Sequence, residues 1–140
     1  MAIQQGLTTS FKQEMLQAGQ NLLTDTLYIA LYTAYSDIGA NTTVYTTTNQ
    51  VTGTGYTAGG KQLTGVTIET SPNGVVYVNF ASPSWANATF TARGALIYNV
   101  TRSNKSVAVL DFGSDKICNN QTFTVPMPVN SATTALIRFS

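Results

Sequence analysis

The sequence predicts an all-β protein with one short N-terminal helix, and three observations support this fold class. From Leu27 onward, residues of different character alternate with a period of two, as in half-buried strands. Threonine, valine, tyrosine and phenylalanine dominate these segments, and such residues suit a pleated surface. Turn signals rather than helical crossovers separate the strands, so we expect antiparallel pairing in a sandwich or barrel.

Chain length predicts how these elements are organised. The 140 residues suit a single domain with a buried core, spanning 1–140. We expect an N-terminal arm over 1–8, a helix over 9–23 and the strands within 27–140. The sequence contains no repeat of fixed period, which argues against a solenoid or a propeller.

The N-terminal helix is predicted from a start signal and an apolar stripe. Ser10 and Gln13 have the spacing of a capping box. The stripe consists of Phe11, Met15, Ala18 and Leu22, which recur at helical spacing. A single helix must cover its stripe, so we expect it to pack on the sheet of its own domain. Docking on a partner is the alternative.

The strands follow in order along the chain. The first covers 27–32 and has one aliphatic and one largely aromatic face. Further strands are predicted at 44–51, 63–70, 75–80, 89–100, 107–112, 122–125 and 135–139. The turn Ser71-Pro72-Asn73-Gly74 predicts a hairpin between two of them, and residues 102–105 give a weaker turn signal. We expect long connections at 33–43 and at the glycine-rich segment 52–60.

The scarcity of titratable groups argues against an enzyme. The chain has no histidine, seven Lys or Arg and six Asp or Glu, whereas chemistry at neutral pH usually needs groups that titrate or bind metal. Gly53 and Gly55 lack the spacing and the helix of a phosphate loop. Asp111 and Asp115 are better explained by turn capping or an ion pair with Lys116 than by catalysis. We therefore expect no catalytic, cofactor-binding or metal-binding residues and no cofactor.

Charge and sequence patterns also limit the classes of partner that we expect. A net charge of +1 provides no basic field for nucleic acid and no polybasic patch for a membrane. The first residues lack the features of a secretory signal, and no stretch approaches a membrane span. Cys118 is the only cysteine, so we expect a buried or half-buried thiol, with pairing between subunits as the alternative. A polar surface with few charges suits a subunit of an assembly.

Five residues are candidates for a partner interface. Trp85 lies in a loop-like segment after a strand, where it either covers the end of the core or anchors an interface. Tyr56 is the anchor of the glycine-rich segment. Met1, Ile3 and Leu7 belong to the arm, which precedes the first predicted element and could reach a neighbour, although termini are often simply frayed.

Four stretches resemble a family found among the structural genes of tailed bacteriophages. They are LYIALYT at 27–33, VTGTGYTAGG at 51–60, FASPSWANATFTARGALIY at 80–98 and VAVLDFGSD at 107–115. Over nearly its whole length, the chain resembles the capsid cement, or decoration, proteins of short-tailed phages of the Bordetella type. These stretches are typical of a fold and a lineage, and they identify no active residues.

The resemblance implies a jelly-roll-like β-sandwich over 27–140 that binds the outside of an icosahedral shell of HK97-type coat subunits. It also implies a homodimer whose copies bridge neighbouring major capsid proteins, located on the outer surface of the virion after synthesis in the host cytoplasm. Many relatives have no assigned role, so a tail or receptor-binding appendage is the alternative. The seven tyrosines add carbohydrate binding to that alternative, because sugars stack on aromatic faces.

Overall fold

The computed structural model describes residues 3–131 and 133–139, and Met1 therefore lies outside the described residues. One helix and eight strands are formed in this part of the chain. In order they are β1 (Gly6–Leu7), α1 (Thr9–Leu16), β2 (Leu27–Tyr32), β3 (Lys61–Gln62), β4 (Thr67–Thr70), β5 (Val76–Asn79), β6 (Ser84–Asn99), β7 (Lys105–Thr124) and β8 (Ile137–Phe139).

The strands form two antiparallel sheets. The larger has the order β1-β7-β6-β2-β3, and the smaller has the order β4-β5-β8. Every strand pair in the described residues is antiparallel. The prediction of an all-β protein with one short helix is therefore confirmed, as is the hairpin at Ser71-Pro72-Asn73-Gly74, which joins β4 to β5.

A long hairpin dominates the larger sheet. β6 has 16 residues and β7 has 20, and the two pair along almost their full length with several bulges. The half of the hairpin near its turn also pairs with β2, from Gly94 to Asn99. The sequence predicted separate strands at 107–112 and 122–125, which was wrong. β7 continues between them because Gly113 has a φ of +81° and can occupy a distortion that other residues resist.

The main core lies between the two sheets. It joins aliphatic residues of β2, β6 and β7 to Val78 and Ile137 of the smaller sheet. A second cluster covers the opposite face of the larger sheet, where Ile38 and Tyr45 from the long connection pack over Tyr98. β2 is thus buried on both faces, which explains its almost unbroken apolar sequence.

The helix is shorter than the predicted 9–23, and its cap is different. The N-cap is Thr8, whose hydroxyl accepts a hydrogen bond from the Phe11 N–H at 3.2 Å, so the predicted capping box at Ser10 was wrong. α1 ends at Leu16 because Ala18 has a left-handed φ of 55°. Phe11 is fully buried and its ring lies 6.5 Å from that of Phe139, so the helix packs on its own domain.

The predicted strand at 44–51 is also wrong. Val44 and Gln50 form only isolated bridges, and Asn49 adopts a left-handed φ of 59° within a turn. The predicted strand at 63–70 is reduced to β4, whose residues are all exposed. Residues 33–60 therefore form one long connection, and it covers the outer face of the larger sheet with Ile38 and Tyr45.

Candidate interaction surface

Trp85 belongs to the core of this chain. It is 3% exposed, and its ring lies 6.2 Å from Tyr56 and 6.1 Å from Phe123. The ammonium group of Lys61 lies 5.5 Å from the centre of the indole ring. The core-covering alternative is the one observed. The loop interpretation was wrong because Trp85 pairs with Phe123 inside β6.

Tyr56 fastens the glycine-rich segment to β2. Its hydroxyl accepts a hydrogen bond from the Leu31 N–H at 3.0 Å and donates one to Gln50 Oε1 at 2.7 Å. The same Gln50 oxygen accepts a hydrogen bond from the Gly59 N–H at 2.8 Å. Tyr56 is half-buried, and the hydrogen bonds of its hydroxyl are made within this chain.

The N-terminal segment packs on its own sheet from Ile3 onward. Ile3 is 7% exposed and lies in the second apolar cluster. Leu7 is half-buried and pairs with Ala108 of β7. The expectation that the arm over 1–8 precedes the first element is therefore wrong, because β1 lies within it and residues 3–8 pack against the domain through β1 and the buried Ile3. A partner contact through Met1 or Leu7 stays a prediction.

A feature that the sequence did not predict is an open edge on β7. β1 covers only Ala108 and Val109, and within the described residues no strand pairs with the outer side of residues 113–124. We call this segment the free β7 edge. Its side chains are almost all exposed, and Ile117 is 78% exposed. A signal was present in the sequence, since Ile117 stands alone in a polar run between Gly113 and Thr122.

A groove of about 550 Å³ lies beside the free β7 edge. Its apolar lining includes Phe112, Ile117, Cys118, Phe123, Met127 and Leu136. Cys118 itself is buried, which confirms the expected state of the thiol. The surface therefore combines unpaired backbone groups with an apolar depression, the two elements that an added strand from another protein uses.

Other large apolar side chains are exposed elsewhere. They are Leu16, Leu23, Tyr35, Val44, Ile68, Val76, Val100 and Val129. Leu16 is the most exposed, at 91%, and it lies at the end of α1. Single exposed apolar residues are common on protein surfaces, so we attach weight only to Ile117, which coincides with the open edge and the groove.

Polar side chains fill the end of the sheet where β6 turns into β7. The Asp25 carboxylate accepts hydrogen bonds from Arg102 Nε and Asn99 Nδ2, each at 2.8 Å. Burial of the carboxyl favours a raised pKa, but the hydrogen bonds from Arg102, the Asn21 N–H and Asn99, with the positive charge of Arg102, outweigh it and hold the pKa of Asp25 below its ordinary value. Since the Asp25 side chain is only 4% exposed, the arrangement joins residues 17–26 to the hairpin turn.

The residues weighed for chemistry have structural contacts. Asp111 lies inside β7 and not at a turn, so turn capping as predicted is wrong. Its carboxylate accepts a hydrogen bond from the Gly113 N–H at 2.9 Å and forms an ion pair with Arg93 at 3.3 Å. The alternative, an ion pair with Lys116, is not among the ion pairs of the described residues, where Lys116 donates to Ser114. Within residues 3–131 and 133–139, no three His, Cys, Asp or Glu side chains are grouped as metal ligands require.

Comparison with protein-family models, with curated proteins and with solved structures finds no match for this chain. The resemblance to capsid cement proteins therefore rests on the four quoted stretches. In the described part of the chain, no helix has the length and apolar character needed to cross a membrane.

Proposed function

We propose that this chain is a structural virion protein that binds the outer surface of an HK97-type phage capsid and bridges coat subunits. The observation that carries the proposal is the free β7 edge, because an open strand with an exposed isoleucine is a ready attachment point for another chain. The resemblance of the four sequence stretches supplies the identity of the partner.

Attachment through the edge follows from strand geometry. The part of this edge that pairs with β6 on its inner side covers residues 116–124. It spans about 30 Å at the usual rise per residue, and between its bulges every second residue directs its N–H and C=O groups away from β6. A strand of the coat protein would satisfy these groups. Ile117 and side chains from the groove would supply apolar area where the partner strand lies, and the interface would need few charged pairs.

The mechanism under this proposal is mechanical. Each bound copy adds buried surface between coat subunits that the pressure of packaged DNA pulls apart, and an interface of about 1,000 Å² per contact is effective when symmetry repeats it. The net charge of +1 allows many copies to lie close together without strong mutual repulsion. The proposed mechanism involves binding and no chemical reaction by any residue of the chain.

The test is binding to heads that lack the protein. Purified chain is added to such heads, and bound copies are counted from quantified gel bands while head rupture is followed during heating. We expect copies in proportion to coat subunits and a higher rupture temperature. Ile117→Lys should reduce both effects, because a buried ammonium group at the edge is costly. Leu16→Lys, at an exposed site on α1, is the matched control and should behave as the unaltered protein.

The alternative is an appendage of the tail, including a receptor-binding or carbohydrate-binding protein. Such a protein would be present in far fewer copies than the coat protein, and its loss would abolish adsorption while heads rupture at the same temperature. Tyr35, 82% exposed, is the aromatic side chain best placed to stack on a sugar. A low copy number together with unchanged head stability would therefore overturn the cement proposal in favour of the appendage.

A further inference from the structure

The tip of the β4–β5 hairpin holds the one asparagine of the chain that precedes a glycine. In this turn the Gly74 N–H donates to the Ser71 carbonyl at 3.1 Å, and the Ser71 N–H donates to the Val75 carbonyl at 2.9 Å. Asn73 and Gly74 are both exposed. The turn that makes the hairpin therefore presents an Asn-Gly pair to water.

The surroundings leave both reacting groups accessible. The side-chain amide of Asn73 has no hydrogen-bond partner among residues 3–131 and 133–139, so nothing in that part of the chain holds it in one rotamer. A Cβ built on Gly74 would meet no atom within 4 Å. The space beside Gly74 is therefore open, and what engages its backbone nitrogen is the hydrogen bond to the Ser71 carbonyl.

We propose that Asn73 is a site of spontaneous deamidation through a cyclic imide. The backbone nitrogen of Gly74 attacks Cγ of Asn73, a C–N bond forms, and the side-chain nitrogen leaves as ammonia, carrying away the proton that the Gly74 nitrogen loses. The product is a five-membered succinimide. Water then opens the ring at either carbonyl, which gives aspartate or isoaspartate at position 73, and water is the one co-reactant.

Local opening of the turn controls the rate. The Gly74 N–H must leave the Ser71 carbonyl before its nitrogen can attack, and hairpin tips with exposed hydrogen bonds open far more readily than a core. Asn79 and Asn99 are buried in strands and precede bulkier residues, so their amides are protected. Asn130 is exposed but precedes serine, whose side chain crowds the attacking nitrogen.

The modification would change the hairpin in two ways. Aspartate replaces a neutral amide by a negative charge on the hairpin that already carries Glu69. Isoaspartate inserts an additional carbon into the main chain, so the two backbone hydrogen bonds of the turn, from Gly74 to Ser71 and from Ser71 to Val75, can no longer both form. The tip of the smaller sheet would loosen while the long β6–β7 hairpin is unaffected.

The experiment is incubation of the folded full-length protein at mildly alkaline pH, followed by peptide mapping and an isoaspartate methylation assay. We expect the peptide that contains Asn73 to lose its amide before any other, with aspartate and isoaspartate both formed and the succinimide trapped on acid quenching. Asn73→Gln should abolish the isoaspartate signal, because glutamine would need a six-membered ring. Incubation in urea should accelerate the loss, because the turn is then open.

Two results would overturn the proposal. One is an intact Asn73 peptide after isoaspartate has accumulated at another asparagine. The other is conversion of Asn73 to aspartate alone, without isoaspartate or succinimide, which would indicate direct hydrolysis of the amide.

Discussion

Gly60 lies directly against the carbonyl group of Ile29. A Cβ atom at position 60 would overlap the Ile29 oxygen and crowd Ala30, and Gly60 has a left-handed φ of +83°. This close approach is what allows the glycine-rich segment to turn into β3, which pairs with Tyr28 and Ile29 of β2. Position 60 therefore needs glycine for two reasons: a side chain would overlap the Ile29 carbonyl, and the left-handed φ is strained for other residues.

Replacing Gly60 by alanine should destabilise the protein markedly. Gly60→Ala adds both a left-handed alanine and an overlap with buried backbone, so we expect a loss of about 3 kcal/mol in the free energy of unfolding. Gly74→Ala is the control, because Gly74 has the same φ of +83° but open space around it. That variant should lose about 1 kcal/mol. Urea denaturation measures both, and equal losses would contradict the steric argument.

Acid should destabilise the protein partly through Asp25. Its pKa in the folded protein lies below the ordinary value of 3.8. Stability from this carboxylate is therefore fully present above about pH 3.8 and is lost as pH falls through the folded pKa. Asp25→Asn should lower the free energy of unfolding at neutral pH by about 2 kcal/mol and flatten its dependence on pH in the acid range.

The control for Asp25 is the second aspartate–arginine pair. Asp111 and Arg93 are 3.3 Å apart and their side chains are each about one-third exposed, at 29% and 34%. Asp111→Asn should change stability by about 0.5 kcal/mol or less, because water screens such a pair. Urea denaturation at several pH values measures both variants, and an Asp111 effect as large as that of Asp25 would show that burial is not the deciding factor.

The Tyr56 hydroxyl should contribute more to the free energy of unfolding than the partial exposure of the side chain suggests. Tyr56→Phe removes the acceptor of the Leu31 N–H and the donor to Gln50 Oε1, so a main-chain N–H in the middle of β2 loses its partner. We expect a loss of about 2 kcal/mol, measured by urea denaturation. Tyr35→Phe, at a residue that is 82% exposed, should have no measurable effect. If Tyr56→Phe left the free energy of unfolding unchanged, water would have to replace the hydroxyl as the partner of the Leu31 N–H.

Alkaline titration should separate two groups of tyrosines. Burial, with a smaller effect from neighbouring Tyr45 and Tyr28, raises the pKa of Tyr98 from 10.0 to about 12. Burial raises the pKa values of Tyr32 and Tyr56 further still. Because the folded protein favours the neutral phenols, their stabilisation is present below about pH 10 and is lost as pH rises toward 12. Phenolate absorbance should therefore rise in two phases, the second coinciding with unfolding. A single phase near pH 10 in folded protein would contradict the observed burial.

The fold class was predictable because strand alternation is a local signal. The strand at 27–32 and the hairpin at 71–74 each depend on neighbouring residues, and both are formed. The errors have a non-local cause. Residues 44–51 alternate like a strand, but Tyr45 instead packs on the outer face of the larger sheet and Val51 packs in the main core, contacts that no local pattern encodes. The two predicted parts of β7 are joined because β6 offers a continuous partner.

The candidate surface was less predictable than the fold. Composition indicated an assembling protein, yet Ile3 and Trp85, two of the candidates for a partner interface, are buried in this chain. Whether an apolar residue faces the core or another protein depends on which strands cover it. The free β7 edge exists because β1 is only two residues long, and strand pairing of that kind is not visible in residues 113–124 themselves.

The placement of β1 has a consequence for how the chain acquires its fold. The hydroxyls of Thr8 and Ser106 are hydrogen-bonded although they lie 98 residues apart, whereas β6 and β7 are joined by a short turn. Closing a long loop costs more entropy than closing a short one, so the hairpin should form early and the N-terminal segment should join it late. On the ribosome the order is stricter still. Residues 6–8 cannot pack until β7 has emerged, so nearly a hundred further residues must be synthesised before β1 can pair.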